Sequence, residues 1–279
     1  MPDHLEVCLE AARRGGSVLL EWQTRFRPRE KGPRDLVTEA DVASQNAIYE
    51  IIHKAFPGHD FLAEEEAADR VANGRAAIPM RKSAYRWIVD PLDGTTNYVH
   101  KLPGFAVSIA LQHEETVQMG VILDPLTGES FVAVRGHGGT LNGQPIQTSG
   151  CQHASQALLA VSFSPNVPRD SIEITRFIEG LVSCQSVRRT GSAALNLAYV
   201  AAGRLDAYWA TSVSIWDVAA GLFMVEEAGG AAGGIDGSPI QLERPQFVAC
   251  ASQPLLAEMH QILDRAHRAH RARQAGQSV

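Results

Sequence analysis

The sequence predicts an α+β half over residues 1–148 followed by an α/β half over residues 149–279. Three observations predict it. Apolar residues recur at helical spacing up to Phe56, and short apolar runs split by turn residues follow from Phe61. After about Ser149, strands and helices alternate.

The first helix is expected from Leu5 to about Gln23, on the repeat Leu5, Val7, Leu9, Ala12, Val18, Leu19 and Trp22. Gly15 and Gly16 weigh against it, since an interior glycine costs about 1 kcal/mol relative to alanine. A polar, basic link follows from Arg25 to Arg34. The second helix runs from Thr38 or Glu39 to Phe56, where Pro57-Gly58 stops it. Phe61–Ala63, Trp87–Val89, Phe105–Leu111, Val117–Leu123 and Phe131–Val134 read as strands of an antiparallel sheet, with Asn142-Gly143 as a tight turn. Ala67 to Ser83 is polar and reads as a surface excursion.

In the second half, strands are expected at Leu158–Phe163, Ser186–Arg188, Leu205–Trp209 and Phe247–Ala251. Helices are expected at Asp170–Val182, Ala193–Ala202, Trp216–Ala228 and from Pro254 toward Arg273. The arginine- and histidine-rich end, HRAHRARQAG, reads as a fraying helix end, with a basic docking patch as the alternative.

Composition narrows the function classes. At 45% hydrophobic the chain of 279 residues can bury a sizeable core and is not disordered. A net charge of −6 gives no whole-molecule basic field for nucleic acid or an anionic membrane. Cys8, Cys151, Cys184 and Cys250 are scattered, with no zinc-ligand spacing. Charges interrupt the first 16 residues where a signal peptide needs an apolar core, and no apolar run approaches the roughly 20 residues of a membrane span. A reduced, cytoplasmic, soluble protein is expected.

The most informative stretch is Trp87-Ile88-Val89-Asp90-Pro91-Leu92-Asp93-Gly94-Thr95-Thr96-Asn97. An apolar strand runs into two carboxylates three apart, then Gly-Thr-Thr. Asp-Pro with a nearby glycine is also ordinary turn chemistry. The chain carries its own control: Leu123-Asp124-Pro125-Leu126-Thr127-Gly128 lacks the second aspartate and the Gly-Thr-Thr, and reads as a hairpin turn. Only the first copy pairs carboxylates for a divalent cation with amides of Gly94 and Thr95 for an anion. Glu64-Glu65-Glu66, ending a strand, and Asp217, opening a helix, are further acidic candidates.

Together, Glu64-Glu65, Asp90 through Thr95 and Trp216 through Gly221 resemble the three signatures of the inositol monophosphatase family. Asp35 through Asp41, Arg188 through Ala194 and Glu227 through Gly230 extend the resemblance to about residues 5–265. It implies an inositol monophosphatase/fructose-bisphosphatase-like layered sandwich, α+β / α/β, of alternating helix and sheet layers, with metal at the junction of the halves. It also implies a lithium-sensitive phosphatase, commonly a homodimer, using two or three Mg²⁺ ions. Glu64, Asp90 and the Leu92 carbonyl would hold one ion, Asp90, Asp93 and Asp217 a second, and Glu64 with Glu65 a third. The substrate phosphate would rest on the ions and the Gly94 and Thr95 amides. A metal-activated water would be oriented by Glu64 and the Thr95 hydroxyl, with Asp41 holding Thr95. Gly191, Ser192 and Ala193 would line the substrate, beside Asp93 and Asp217.

The resemblance is weaker on the alcohol side. Inositol-cleaving members commonly carry a glutamate seven residues before the last metal aspartate, and here that position is Ala210. Ser214 stands where some members carry histidine. Arg188 and Arg189 read either as contacts for a second anionic group or as a solvated pair. The substrate implied first is inositol 1-phosphate; histidinol phosphate, another sugar or polyol phosphate and a bisphosphate nucleotide are alternatives. A regulatory binding protein on the same fold is the non-enzymatic alternative.

Overall fold

The computed structural model describes residues 3–23, 29–32, 35–37, 39–73, 78–164 and 166–276. The first half contains α1 (His4–Trp22), β1 (Arg29–Gly32), β2 (Asp35–Val37), α2 (Glu39–Ala55), β3 (Asp60–Ala63), α3 (Glu64–Ala72), β4 (Tyr85–Asp93) and α4 (Thr95–Val99). It continues with β5 (Ala106–His113), β6 (Thr116–Asp124), β7 (Glu129–Val134), β8 (Gly138–Leu141) and β9 (Gln144–Ile146). The second contains β10 (Leu158–Ser162), α5 (Ile172–Ser183), β11 (Ser186–Arg188), α6 (Ala193–Ala201), β12 (Ala207–Ala210), α7 (Ile215–Glu227), β13 (Ala231–Gly234), β14 (Phe247–Cys250) and α8 (Gln253–Gly276).

Seven strands form one sheet in the order β3-β4-β5-β6-β7-β8-β9, antiparallel except for the parallel β3–β4 pair. Five form another in the order β11-β10-β12-β14-β13, in which β10 runs parallel to both β11 and β12. Strand parity then sets the layers. Trp87 and Val89 of β4 pack with α1 and α2, whereas Ile88 packs with α6 and α7. Phe247 and Ala249 of β14 face that same helix pair, and Val248 and Cys250 face α8. The result is a helix pair, a sheet, a helix pair, a sheet and the α5–α8 pair, the layered fold that the resemblance implies. Each fully buried large side chain, such as Trp87, Phe131 or Trp209, contributes about 1.5–3 kcal/mol.

α1 runs through Gly15 and Gly16 as expected, and these glycines are where it touches its neighbours. A Cβ on Gly15 would lie 2.7 Å from Ile48 of α2, and one on Gly16 would lie 3.0 Å from Leu123 of β6. Several other elements differ from the sequence expectation, each for a physical reason. β4 does not end at Val89 but continues through Pro91 to Asp93, with its register shifting between Asp90 and Asp93. Glu64, Glu65 and Glu66 open α3 rather than closing a strand, since acidic residues are favoured in a first turn. That helix takes up residues 67–72 of the expected surface excursion. β12 starts two residues later than expected, because the Asp206 carboxylate accepts from the Leu158 amide at 2.7 Å and holds the strand's approach. β13, Ala-Ala-Gly-Gly, has no β-branched or aromatic residue to signal it.

The Leu123–Gly128 control is the hairpin turn expected of it, joining β6 to β7. Asn142 and Gly143, both at positive φ, make the two-residue turn between β8 and β9. The basic link expected at Arg25–Arg34 lies partly outside the described residues, and its described part, β1, pairs with β2. The arginine-rich end continues α8 and is exposed from Arg271 to Gly276. None of the four cysteines is in a disulfide, and no helix among the described residues is long and apolar enough to cross a membrane.

Candidate active site

The site is built where β4 leaves its sheet. Asp90 shares strand parity with Ile88, so its side chain is on the α6–α7 side of the sheet. Its Oδ1 accepts from the Leu92 amide at 2.9 Å, and the Ser44 hydroxyl donates to the Pro91 carbonyl at 3.1 Å. Asp124 makes the same turn with the Leu126 amide, also at 2.9 Å. The two Asp-Pro-Leu strings thus fold alike locally. They part at the fourth residue, where one chain direction reverses into a hairpin and the other enters α4.

Gly94 makes that entry at φ +90°. A Cβ there would lie 2.8 Å from the Gly104 carbonyl oxygen, so only glycine fits. The Thr95 hydroxyl lies 3.1 Å from the Leu92 carbonyl and 3.4 Å from Asp41 Oδ1. Asp41, in the first turn of α2, is buried.

Asp93 has the most elaborate setting. Its carboxylate accepts from the Ser192 hydroxyl, from the Ala193 amide at 3.1 Å and from the Ala194 amide at 2.8 Å. Ser192 and Ala193, expected along the substrate, are therefore engaged with Asp93 at the start of α6, and Ser192 is fully buried. Gly191, at φ +96°, lies against Asn97. The Asn97 amide donates to the Gly104 and Thr190 carbonyls at 2.7 and 2.8 Å, which ties the two loops together.

Asp217 sits in the first turn of α7 and accepts from the Ser214 amide at 2.7 Å. The helix is set close by small residues. A Cβ on Gly120 of β6 would lie 2.9 Å from Ala220, and one on Gly221 would overlap Leu197 of α6. Trp216, just before Asp217, accepts from the Ser108 hydroxyl at 3.4 Å through its carbonyl, and Ser108 pairs with Asp90 across β4 and β5. Glu64 and Glu65 open α3, and the Glu65 amide donates to Gln45 Oε1 at 3.1 Å.

Electrostatics links these groups. Burial, then the Glu64, Asp93 and Asp217 carboxylates, holds Asp90 well above the ordinary carboxylate pKa. Burial, then Glu64 and Asp93, does the same to Asp217. Burial pushes Asp93 up to about 6 against the opposing hydrogen bonds from Ser192, Ala194 and Ala193. Neighbouring carboxylates this close cannot all ionise cheaply without a cation between them. Among the described residues no three His, Cys, Asp or Glu side chains close into a ready-made metal cage. The oxygen donor set nonetheless suits a hard divalent ion.

Beside the start of α7, a cavity of about 360 Å³ is lined by Thr211, Val213, Ser214, Trp216, Ile78 and Arg244. Ala210 is fully buried. Arg189 stacks over Phe163 at 5.3 Å, and Arg188 folds back onto Ser186 and the Val187 carbonyl. Ser44, Asn97 and Ser108 were not singled out by sequence reasoning. Asn97 closes the motif string itself, and Ser44 stands one turn after Asp41, so position alone marked both.

Comparison with known proteins agrees with this architecture. The Nus factor SuhB of Pseudomonas aeruginosa is 38% identical over 255 residues, 89% of this chain and 92% of that protein. An inositol-1-monophosphatase of Mesorhizobium japonicum is 39% identical over 224 residues, 78% and 79% of the two chains. Among solved structures, the extragenic suppressor protein suhB from Bartonella henselae superposes with a TM-score of 0.84 at 32% identity, covering 93% of this chain and 97% of that one. The inositol monophosphatase of Anabaena superposes at 0.81 with 35% identity, covering 94% and 95%. The profile of the inositol monophosphatase family matches residues 3–270, the span that carries both sheets and all the carboxylates above. By sequence and by fold, the chain belongs to the inositol monophosphatase family.

Proposed function

We propose that this chain hydrolyses the phosphate monoester of a small polyol, inositol 1-phosphate first, with magnesium as cofactor. The observation that carries this reading is that the Glu64 carboxylate acts on Asp90, Asp93 and Asp217, which makes four carboxylates from three separate segments around one site. Asp90, Asp93, Asp217, Glu64 and the Leu92 carbonyl would hold two ions, and Glu64 with Glu65 a weaker third. Bound magnesium supplies charge stabilisation at the phosphoryl group and lowers the pKa of water.

The chain's own residues then do the positioning, which is most of what phosphoryl transfer requires. The Gly94 and Thr95 amides hold the phosphate oxygens. Glu64 and the Thr95 hydroxyl orient the attacking water, and Asp41 keeps the hydroxyl turned. As the P–O bond to the alcohol breaks, the polyol lies between Asp93, Asp217 and the Gly191–Ala193 loop. The family's glutamate is absent at Ala210, so the Ser214 hydroxyl would take over contacts to the ring. Residues 1–148 and 149–279 act as one catalytic unit on this reading, because Asp93 of one bonds to Ser192, Ala193 and Ala194 of the other. Lithium sensitivity, a homodimer and a cytoplasmic location belong to the same proposal.

Phosphate release with magnesium, compared for inositol 1-phosphate, histidinol phosphate and an adenosine bisphosphate, tests it. A hundredfold preference in kcat/KM for inositol 1-phosphate is expected, and D90N or D93N should abolish release with the fold intact. Full activity in both variants would falsify the site assignment. The name Nus factor on several relatives favours a second reading, a regulatory contact on the same fold. A D93N protein that is inactive yet still replaces the wild-type gene in its source organism would move the assignment there.

A further inference from the structure

A line of polar side chains leads from the candidate active site into the five-stranded sheet: Thr190, Asn196, Tyr208 and Ser162. The Thr190 hydroxyl donates to Asn196 Oδ1 at 2.7 Å, and the Tyr208 hydroxyl donates to Ser162 Oγ at 2.9 Å. Asn196 and Tyr208 have no exposed surface. The two parts of the line meet at one donor and one acceptor. Asn196 Nδ2 is buried and makes no hydrogen bond of its own among the described residues. The Tyr208 oxygen has given its proton to Ser162 and keeps its lone pairs for that amide. Burial raises the Tyr208 pKa most, the Ser162 bond opposes, the Asp93 and Asp217 charges raise it further, and the Asn196 amide opposes. Tyr208 therefore feels Asn196 and both site carboxylates.

These groups are an exception to their surroundings. α6 reads Ala-Ala-Leu-Asn-Leu-Ala-Tyr-Val-Ala, and Asn196 is its only buried polar side chain. Tyr208 of β12 faces the same α6–α7 core as Ala210. A leucine and a phenylalanine would fill these two places with no polar atom to satisfy. What the polar line adds is direction. It favours one rotation and one height of α6 over the sheet, where apolar packing tolerates several.

The turn fixed in this way is the one on which Asp93 rests. Thr190 precedes and Asn196 follows Ser192, the cap of α6, so their bond spans the cap. Ser192 accepts from the Leu195 amide at 3.1 Å while donating to Asp93. A shift of this turn moves the Ser192 hydroxyl and the Ala193 and Ala194 amides together, and the Asp93 carboxylate with them. Thr190 makes two separate connections: its carbonyl joins Asn97, and its hydroxyl joins α6.

We propose that Thr190, Asn196 and Tyr208 are positioning residues, which hold the first turn of α6 so that Asp93 presents its carboxylate to the metal. This rests on the reading that Asp93 is a magnesium ligand. The test titrates magnesium by calorimetry into the full chain after chelation, and measures phosphate release from inositol 1-phosphate on the same proteins. Y208F and T190V should each weaken magnesium binding about fivefold or more, below the roughly 10–100-fold that follows loss of a partner bonded directly to a metal ligand. T190S keeps the hydroxyl and should bind magnesium as wild type does. The double variant should be no weaker than the weaker single one, because both changes break one line. T190V alters a half-buried side chain, so it decides the matter if Y208F does not fold. The proposal is overturned if folded Y208F and T190V bind magnesium as wild type does and only melt lower, if their losses multiply in the double variant, or if T190S loses as much as T190V. A wild type that shows these differences in magnesium binding but releases no phosphate overturns the hydrolase reading and leaves this proposal standing.

Discussion

The Thr211 hydroxyl donates to Glu173 Oε1 at 2.6 Å, joining α5 to the segment that follows Ala210. The same carboxylate accepts from Ser212 and from the Ser164 amide and hydroxyl, and it is buried. Glu173 thereby holds the edge of the cavity beside the start of α7 from behind. E173A leaves several of these donors unmet, at about 1–3 kcal/mol for a buried group. The melting temperature should fall, and KM should rise more than kcat falls. Unchanged KM in a folded E173A protein would separate the clamp from substrate binding.

The pH dependence of the metal-free protein follows from the raised aspartates. A carboxyl whose folded pKa exceeds its unfolded value binds more protons when folded, so stability falls as pH rises through that interval. For Asp93 the interval runs from the ordinary 3.8 to about 6. In a chelator, thermal melting should therefore rise as the buffer is taken from pH 7 to pH 5. Magnesium at pH 7 should raise it too, because it binds the ionised carboxylates of the folded state. D93N should flatten the pH slope measured in chelator.

Among the described residues, the Asn97 side chain makes no hydrogen bond to a proposed metal ligand. Its amide nevertheless joins the Gly104 and Thr190 carbonyls, and through them the two loops beside Gly94 and Gly191. N97A should lower kcat by about tenfold or more through misplacement, with magnesium affinity little changed. Phosphate release across a magnesium titration reads both quantities. An equal loss of metal affinity would assign Asn97 a different role.

G221A should be among the most destabilising single-methyl additions in this chain. The new Cβ would overlap Leu197, at the crossing that sets α7 and hence Asp217. Overpacking of this kind costs about 1–3 kcal/mol. Chemical denaturation measures the cost, and a shortened Leu197, as in L197A, should recover part of it. G128A is the contrasting case. Its Cβ would meet nothing within 4 Å, so only the positive φ opposes it.

Much of this was legible before any coordinates. The run from Trp87 to Val89, the turn residues after it and the contrast with Leu123–Gly128 set the turn that enters α4 apart from its hairpin twin. Helix periodicity placed α2, α5, α6 and α7 to within about two residues at most ends. What a local rule could not explain was a tertiary contact. The helix expected through Gly15 and Gly16 forms, and its glycines are there because Ile48 and Leu123 occupy the space a side chain would need. β13 has no strand signal in its own residues and exists because β14 offers it an edge.

Residue type and spacing by themselves determined the two-part alternation of elements, the acidic signatures and the glycine at position 94. These depend on local dihedral preference and on side-chain periodicity, which short windows of sequence contain. Only the tertiary structure decided that Asp93 rests on the start of α6 and that Glu173 holds the segment after Ala210. Asp93 and Ser192 lie 99 residues apart. No periodicity relates positions at that distance; the packing of one sheet against another through α6 and α7 does.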